Sequence, residues 1–169
     1  MPIVSSDLKI FLSGGGGNSD PNASLGGVIS STEVVDNTLN NIFDDVSGTE
    51  SAAGDIEYRG VYLKNNHGSL TAKNTRVYIS SNTTSANDEW DIALAGEGLN
   101  ATMETVVNES TAPVGESFTH PTTYAGGLNM GDIPFGQKYG LWLRRTVDAG
   151  AGAINSDAIT INYDCDTDA

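Results

Sequence analysis

Residues 55–81 constrain the fold of this chain more than any other stretch. They read DIEYRGVYLKNNHGSLTAKNTRVYISS. Two runs rich in β-branched and aromatic residues, 56–64 and 70–80, flank the cluster Asn65-Asn66-His67-Gly68. Such side chains suit a pleated, half-buried surface, and Asn and Gly accept the left-handed conformations that reverse a chain. The stretch predicts two strands and a tight connection at the centre of a β-sheet. Tyr58, Gly60 and Tyr62 alternate with Arg59, Val61 and Leu63, so both faces of the first strand carry bulk and neither declares itself the inner one.

The rest of the chain continues this pattern. Ile3 and Val4, then Leu8, Ile10 and Leu12, alternate as in one strand. Trp90, Ile92 and Leu94 alternate with Asp91, Ala93 and Ala95. Residues 101–107 suggest a strand through Met103, Val106 and Val107. Residues 139–147 predict a strong strand, with Leu141 and Leu143 on one face and Trp142 and Arg144 on the other. Ile159, Ile161 and Tyr163 close the series. Glycines 14–17 read as a flexible joint or a site of close backbone approach. In 37–46, Leu39, Ile42, Phe43 and Val46 have the spacing of one or two helical turns, with Asp36 or Thr38 as cap, plugging one end of the fold. Residues 47–54 are small and polar, a loop or linker. About seven to nine strands with turn signals between them predict an all-β protein, an antiparallel β-sandwich of immunoglobulin-like or jelly-roll topology. It would have at most one or two short helical turns. Residues 1–54 form an extended N-terminal arm, packing on the domain or on a neighbouring subunit, and 55–169 the sandwich core.

Charge narrows the partners. The chain has 169 residues with 22 acidic and 8 basic side chains, a net charge of −14. That sign repels phosphate backbones and anionic membranes, so neither nucleic acid nor membrane is an expected partner. No segment approaches the length of a membrane span, and the N-terminus shows no basic region followed by an apolar run. Arg59, Lys64, Lys73, Arg76, Arg144 and Arg145 fall on predicted strands or their connection, while the first third is acidic. Two readings stand: ordinary solvated strand faces, or a basic face on which the acidic arm of a neighbour lies.

No constellation for chemistry emerges. His67 and His120 sit in loops without a triad motif. The single Cys165 and two distant histidines give no zinc spacing. Asp164, Asp166 and Asp168 alternate like the start of a calcium loop but lack its glycine and distal glutamate. Asn87-Asp88-Glu89 with Asp91 is a second acidic cluster. The expectation is no catalytic residue, no cofactor and no metal. Trp90, Trp142 and the tyrosines could stack on sugars, but their alternation with aliphatic residues favours packing.

Five segments carry a resemblance: DLKIFLSGG at 7–15, NSDPNASLGG at 18–27, NIFDDVSGTE at 41–50, EYRGVYLKN at 57–65 and LWLRRTVDAGA at 141–151. Together the chain resembles a family of virion structural proteins of tailed double-stranded DNA bacteriophages. The resemblance implies a non-enzymatic capsid decoration, or cement, protein, made in the bacterial host cytoplasm and located in the virion. Its partners would be the major capsid protein or other virion proteins, and it would be a homo-oligomer, trimer or dimer. On that reading the arm orders on contact with Ile10, Leu12, Ile42 and Phe43 as apolar anchors, and Arg144 and Arg145 belong to the interface. A tail, baseplate or fibre component, or a carbohydrate-binding module on the virion, are the alternatives.

Overall fold

Strand β2 (Asp55–Asn65) is the spine of the molecule. The computed structural model describes residues 2–83, 85–154 and 157–167. β1 (Leu8–Leu12) pairs with one side of β2, Leu8 opposite Asn65 and Leu12 opposite Val61. β6 (Lys138–Val147) pairs with the other side, Asp55 opposite Val147 and Lys64 opposite Lys138. β4 (Asp88–Leu94) lies on the far side of β6. A second sheet holds β3 (Ala72–Ser81) between β5 (Leu128–Ile133) and β7 (Thr160–Thr167). Every pairing between these strands is antiparallel. The fold is thus nearly all-β, two sheets in orders β1-β2-β6-β4 and β5-β3-β7 arranged as a sandwich. The first order departs from the immunoglobulin constant type, in which the fifth strand lies beside the second.

The alternation of β2, β6 and β4 sends Val61, Leu63, Leu141, Leu143 and Ile92 into one core with Ala72, Val77, Ile79, Met130 and Ile133 of the second sheet. The opposite face of the first sheet is also dry. Tyr58, Tyr62, Ala93 and Trp142 are buried there with Ala95, Met103 and Val106, and Leu25, Ile29 and Phe118 cover them. The first sheet is therefore covered by a sheet on one side and by a layer of loops on the other. This is why β2 carries bulk on both faces. Tyr62 ties the layer down: its hydroxyl donates to Gly27 O and accepts from Met103 N at 2.8 Å. Gly26 lies so close that a Cβ there would stand 1.9 Å from Glu104 O, and its φ is +85°.

Three expectations are corrected. β2 and β3 do not sit together at the centre of one sheet; each is internal to its own. The turn between them crosses the sandwich. Buried Asn65 fixes the crossing: its Nδ2 donates to Leu70 O and to Ile133 O, both at 2.9 Å, and its Oδ1 accepts from His67 N at 3.0 Å. Residues 37–46 form turns and bends, not a helix, although Ile42 and Phe43 do plug the core. The helix, α1 (Gly48–Ala53), falls in the segment read as loop or linker. Residues 101–107 are no strand; Thr105 makes only an isolated bridge to Gly26.

The N-terminal segment lies on the chain's own sheet. Residues 30–34 run along the outer edge of β1, with Ser30 N donating to Leu12 O at 2.8 Å and Val34 N to Ile10 O at 2.8 Å. Of the glycine run only Gly14 makes a close backbone approach, where a Cβ would stand 2.5 Å from Ala23 O; Gly15, Gly16 and Gly17 face open space. Two single 3-10 turns, Ser5–Asp7 and Pro21–Ala23, complete the helical content.

Candidate functional site

Strand periodicity places Glu57 and Arg59 on the inward face of β2, at the end where the second sheet no longer covers it. Arg145 of β6 lies directly opposite Glu57, and Trp90 of β4 opposite Arg145. Charge in such a position must be paired. Arg145 Nε donates to Glu57 Oε2 at 2.7 Å and Nη2 donates to the same oxygen, while Nη1 donates to Asp44 O at 2.7 Å. Arg59 Nη2 donates to Glu109 Oε2 at 2.6 Å and to Asn22 Oδ1 at 3.1 Å. Both guanidinium groups lie against the Phe43 ring, Arg59 Cζ at 5.2 Å and Arg145 Cζ at 4.9 Å from its centroid. Trp90 meets the same ring edge-on at 4.7 Å. Arg59 is 0% exposed, Glu57 3% and Arg145 6%. This cluster bolts three otherwise separate segments, around Asn22, Asp44 and Glu109, to the sheet.

Burial raises the Glu57 carboxyl above its ordinary range despite the pull of Arg145 and Arg59. Asp88, at the start of β4, is pushed up to about 6, chiefly by burial and further by the Asp157 charge, against the opposing pull of Arg145. Asp88, Glu89 and Asp148 line a polar concavity beside the cluster, with Asn82 and Asn87.

The residues expected at an interface divide. Leu12, Ile42, Phe43 and Arg145 are buried in the chain's own core, at 2%, 8%, 5% and 6% exposure. They cannot serve as surface anchors in this fold, because the sandwich end and the edge of β1 already consume their apolar area. Ile10 is half-buried against the same core. Arg144 points to the opposite face, as neighbours in a strand must. Its Nε donates to Asp91 Oδ2 at 3.1 Å and its guanidinium lies 5.2 Å from the Phe118 centroid, with the side chain 31% exposed. Of the six, Ile10 and Arg144 alone retain surface.

Both histidines hold loops. His67 Nδ1 accepts from Ser69 N at 3.1 Å and Leu70 N at 2.9 Å. His120 Nδ1 donates to Trp90 O. Among the described residues no group of three or more His, Cys, Asp or Glu side chains could hold a metal. Asp164 accepts from Tyr78 OH at 2.7 Å and Asp166 from Asn74 Nδ2 at 2.9 Å, so their alternation is the exposed face of β7; Asp168 lies outside the described residues. The Cys165 thiol is raised by burial and then by Asp166 and Asp164. Trp142 and Tyr62 are fully buried, which removes them from any sugar-stacking surface.

Sequence reasoning missed Glu57, Arg59, Glu109 and Asn22 as a cluster. The available signal was the E-Y-R triplet opening a strand that is otherwise apolar, matched by the R-R pair closing another. Comparison with protein-family models, curated proteins and solved structures finds no match.

Proposed function

We propose that this chain is a structural protein of a tailed double-stranded DNA phage particle, a decoration protein that binds the outside of the capsid shell and bridges its subunits. The observation that carries this reading is the five-segment resemblance. Those segments supply β1, β2 and β6 of the first sheet, the Pro21–Ala23 turn, the Phe43 plug and the start of α1. The resemblance therefore falls on one physical unit, the doubly covered sheet with its coverings.

Two features of the surface support the same reading. Val107 and Val114 are 85% and 83% exposed, on loops of a layer fixed to a rigid sheet. Fixed apolar loop tips lose little entropy on contact. The net charge of −14 keeps many copies soluble. A protein that binds only assembled shell stabilises it by mass action.

Electron cryomicroscopy of particles carrying an antibody fragment against this chain tests the reading. The expected result is label at repeated symmetry positions of the shell. Label confined to the tail, baseplate or fibres would replace it with the alternative virion role.

A further inference from the structure

With 22 acidic and 8 basic side chains in the chain, a cation without a carboxylate is the exception. Lys9, Arg59, Lys73, Arg144 and Arg145 each form an ion pair. Arg76 donates to Gly127 O at 2.9 Å. Among the described residues, Lys64 and Lys138 have no carboxylate within ion-pair distance. The Lys64 ammonium lies 5.7 Å from the Phe11 centroid and that of Lys138 lies 5.6 Å from the Tyr62 centroid. Lys138 Nζ otherwise reaches only Asn100, at 3.4 Å to its carbonyl oxygen.

These two lysines are direct cross-strand neighbours. Lys64 of β2 stands opposite Lys138 of β6, and Lys9 of β1 stands opposite Lys64 on its other side. Like charges directly opposed across strands destabilise a sheet. The carboxylates of the adjoining loops form no ion pair with them. Glu97, Glu104 and Glu116 instead accept backbone N–H groups of Glu104, Val114 and Gly96.

A second group of carboxylates lies at the other end of β6. There Val147 leads into Asp148, which lines the concavity with Asp88 and Glu89. Asp148 and Glu89 are exposed, and Asp88 Oδ1 is buried with no hydrogen-bond partner among the described residues. The 10 residues of β6 span about 30 Å, so lysines and concavity cannot meet within one copy.

We propose that they meet between copies: the Lys64–Lys138 pair of one molecule docks on the Asp88–Glu89–Asp148 concavity of the next. The occupant is a second copy because the two surfaces are opposite in sign and lie at opposite ends of the same strand. The contact is head-to-tail, and such heterologous interfaces close into rings or continue as filaments. It is a property of the purified chain and stands apart from the shell reading, which an imaging experiment tests separately.

Sedimentation velocity of the full chain decides it. In about 20 mM salt the protein sediments as a dimer or larger species, and in about 500 mM salt as a monomer, because screening removes exposed charge contacts. The Lys64→Glu/Lys138→Glu variant and the Glu89→Lys/Asp148→Lys variant are each monomeric in low salt. Their equimolar mixture associates again, since each altered end then faces its complement. Lys64→Gln/Lys138→Gln melts at a higher temperature than the parent, through relief of repulsion, yet associates at least about tenfold more weakly. A monomeric parent in low salt would overturn the proposal. So would association insensitive to both charge variants, or a mixture that stays monomeric.

Discussion

Phe43 is gripped by two guanidinium groups whose counter-charges come from Glu57 of β2 and from the loop carboxylates of Asp44 and Glu109. At the scale of single residues this makes Glu57 the critical member. Removing one partner of a buried ion pair strands the other and costs about 3–5 kcal/mol. Glu57→Gln therefore lowers the urea midpoint sharply, and Glu57→Gln with Arg145→Met recovers most of the loss. Asp88 behaves differently. Its carboxyl titrates at about 6 in the folded chain against an ordinary 3.8, so the folded state holds this proton more tightly than the unfolded state. The group's contribution to stability is greatest below its ordinary value and declines as pH rises through its folded one. Asp88→Asn removes that decline: the variant is more stable than the parent at about pH 7 and nearly equal to it at about pH 4. Urea unfolding at a series of pH values measures both points.

At the scale of elements, Gly26 shows what the loop layer demands. An alanine there meets both a positive φ and a carbonyl oxygen at 1.9 Å. Backbone strain and overpacking each cost roughly 1–3 kcal/mol. Gly26→Ala lowers the melting temperature and raises proteolysis within residues 97–118, while the same change at open Gly16 leaves both within error. The layer itself was hidden in the sequence. Strands β4 and β6 were legible because Trp90, Ile92 and Leu94 in one, and Tyr139, Leu141 and Leu143 in the other, keep period two over five positions. The coverings carry no period at all: Leu25, Ile29, Met103, Val106 and Phe118 reach the sheet from irregular loops. The helical spacing in 37–46 misled because four apolar residues define it and Leu39, 72% exposed, takes no part in the core. Meanwhile Ser47 and Glu50 form a capping box around α1, an S-x-x-E signature that was readable. The expectation that β2 and β3 share one sheet failed because a turn sequence reports that the chain reverses, not which sheet it re-enters. Ile42 and Phe43 were legible as a plug for one end of this chain's own fold. The buried charges beneath them depend on cross-strand register, which local pattern does not contain.

At the scale of the whole molecule, a sheet dry on both faces and bolted to its coverings by buried ion pairs makes a stiff plate with loops at its rim. On the proposed reading such a plate would transmit load between the subunits of a shell under internal pressure. The reading requires many copies, because stabilisation by a bound protein scales with the fraction of sites it occupies. The most direct measurement is the molar ratio of this chain to the major shell protein in purified particles, by quantitative mass spectrometry with labelled standard peptides. The account predicts a fixed ratio near a simple fraction of the shell protein, lost together with heat resistance when the protein is stripped. A handful of copies per particle, or none, would contradict it.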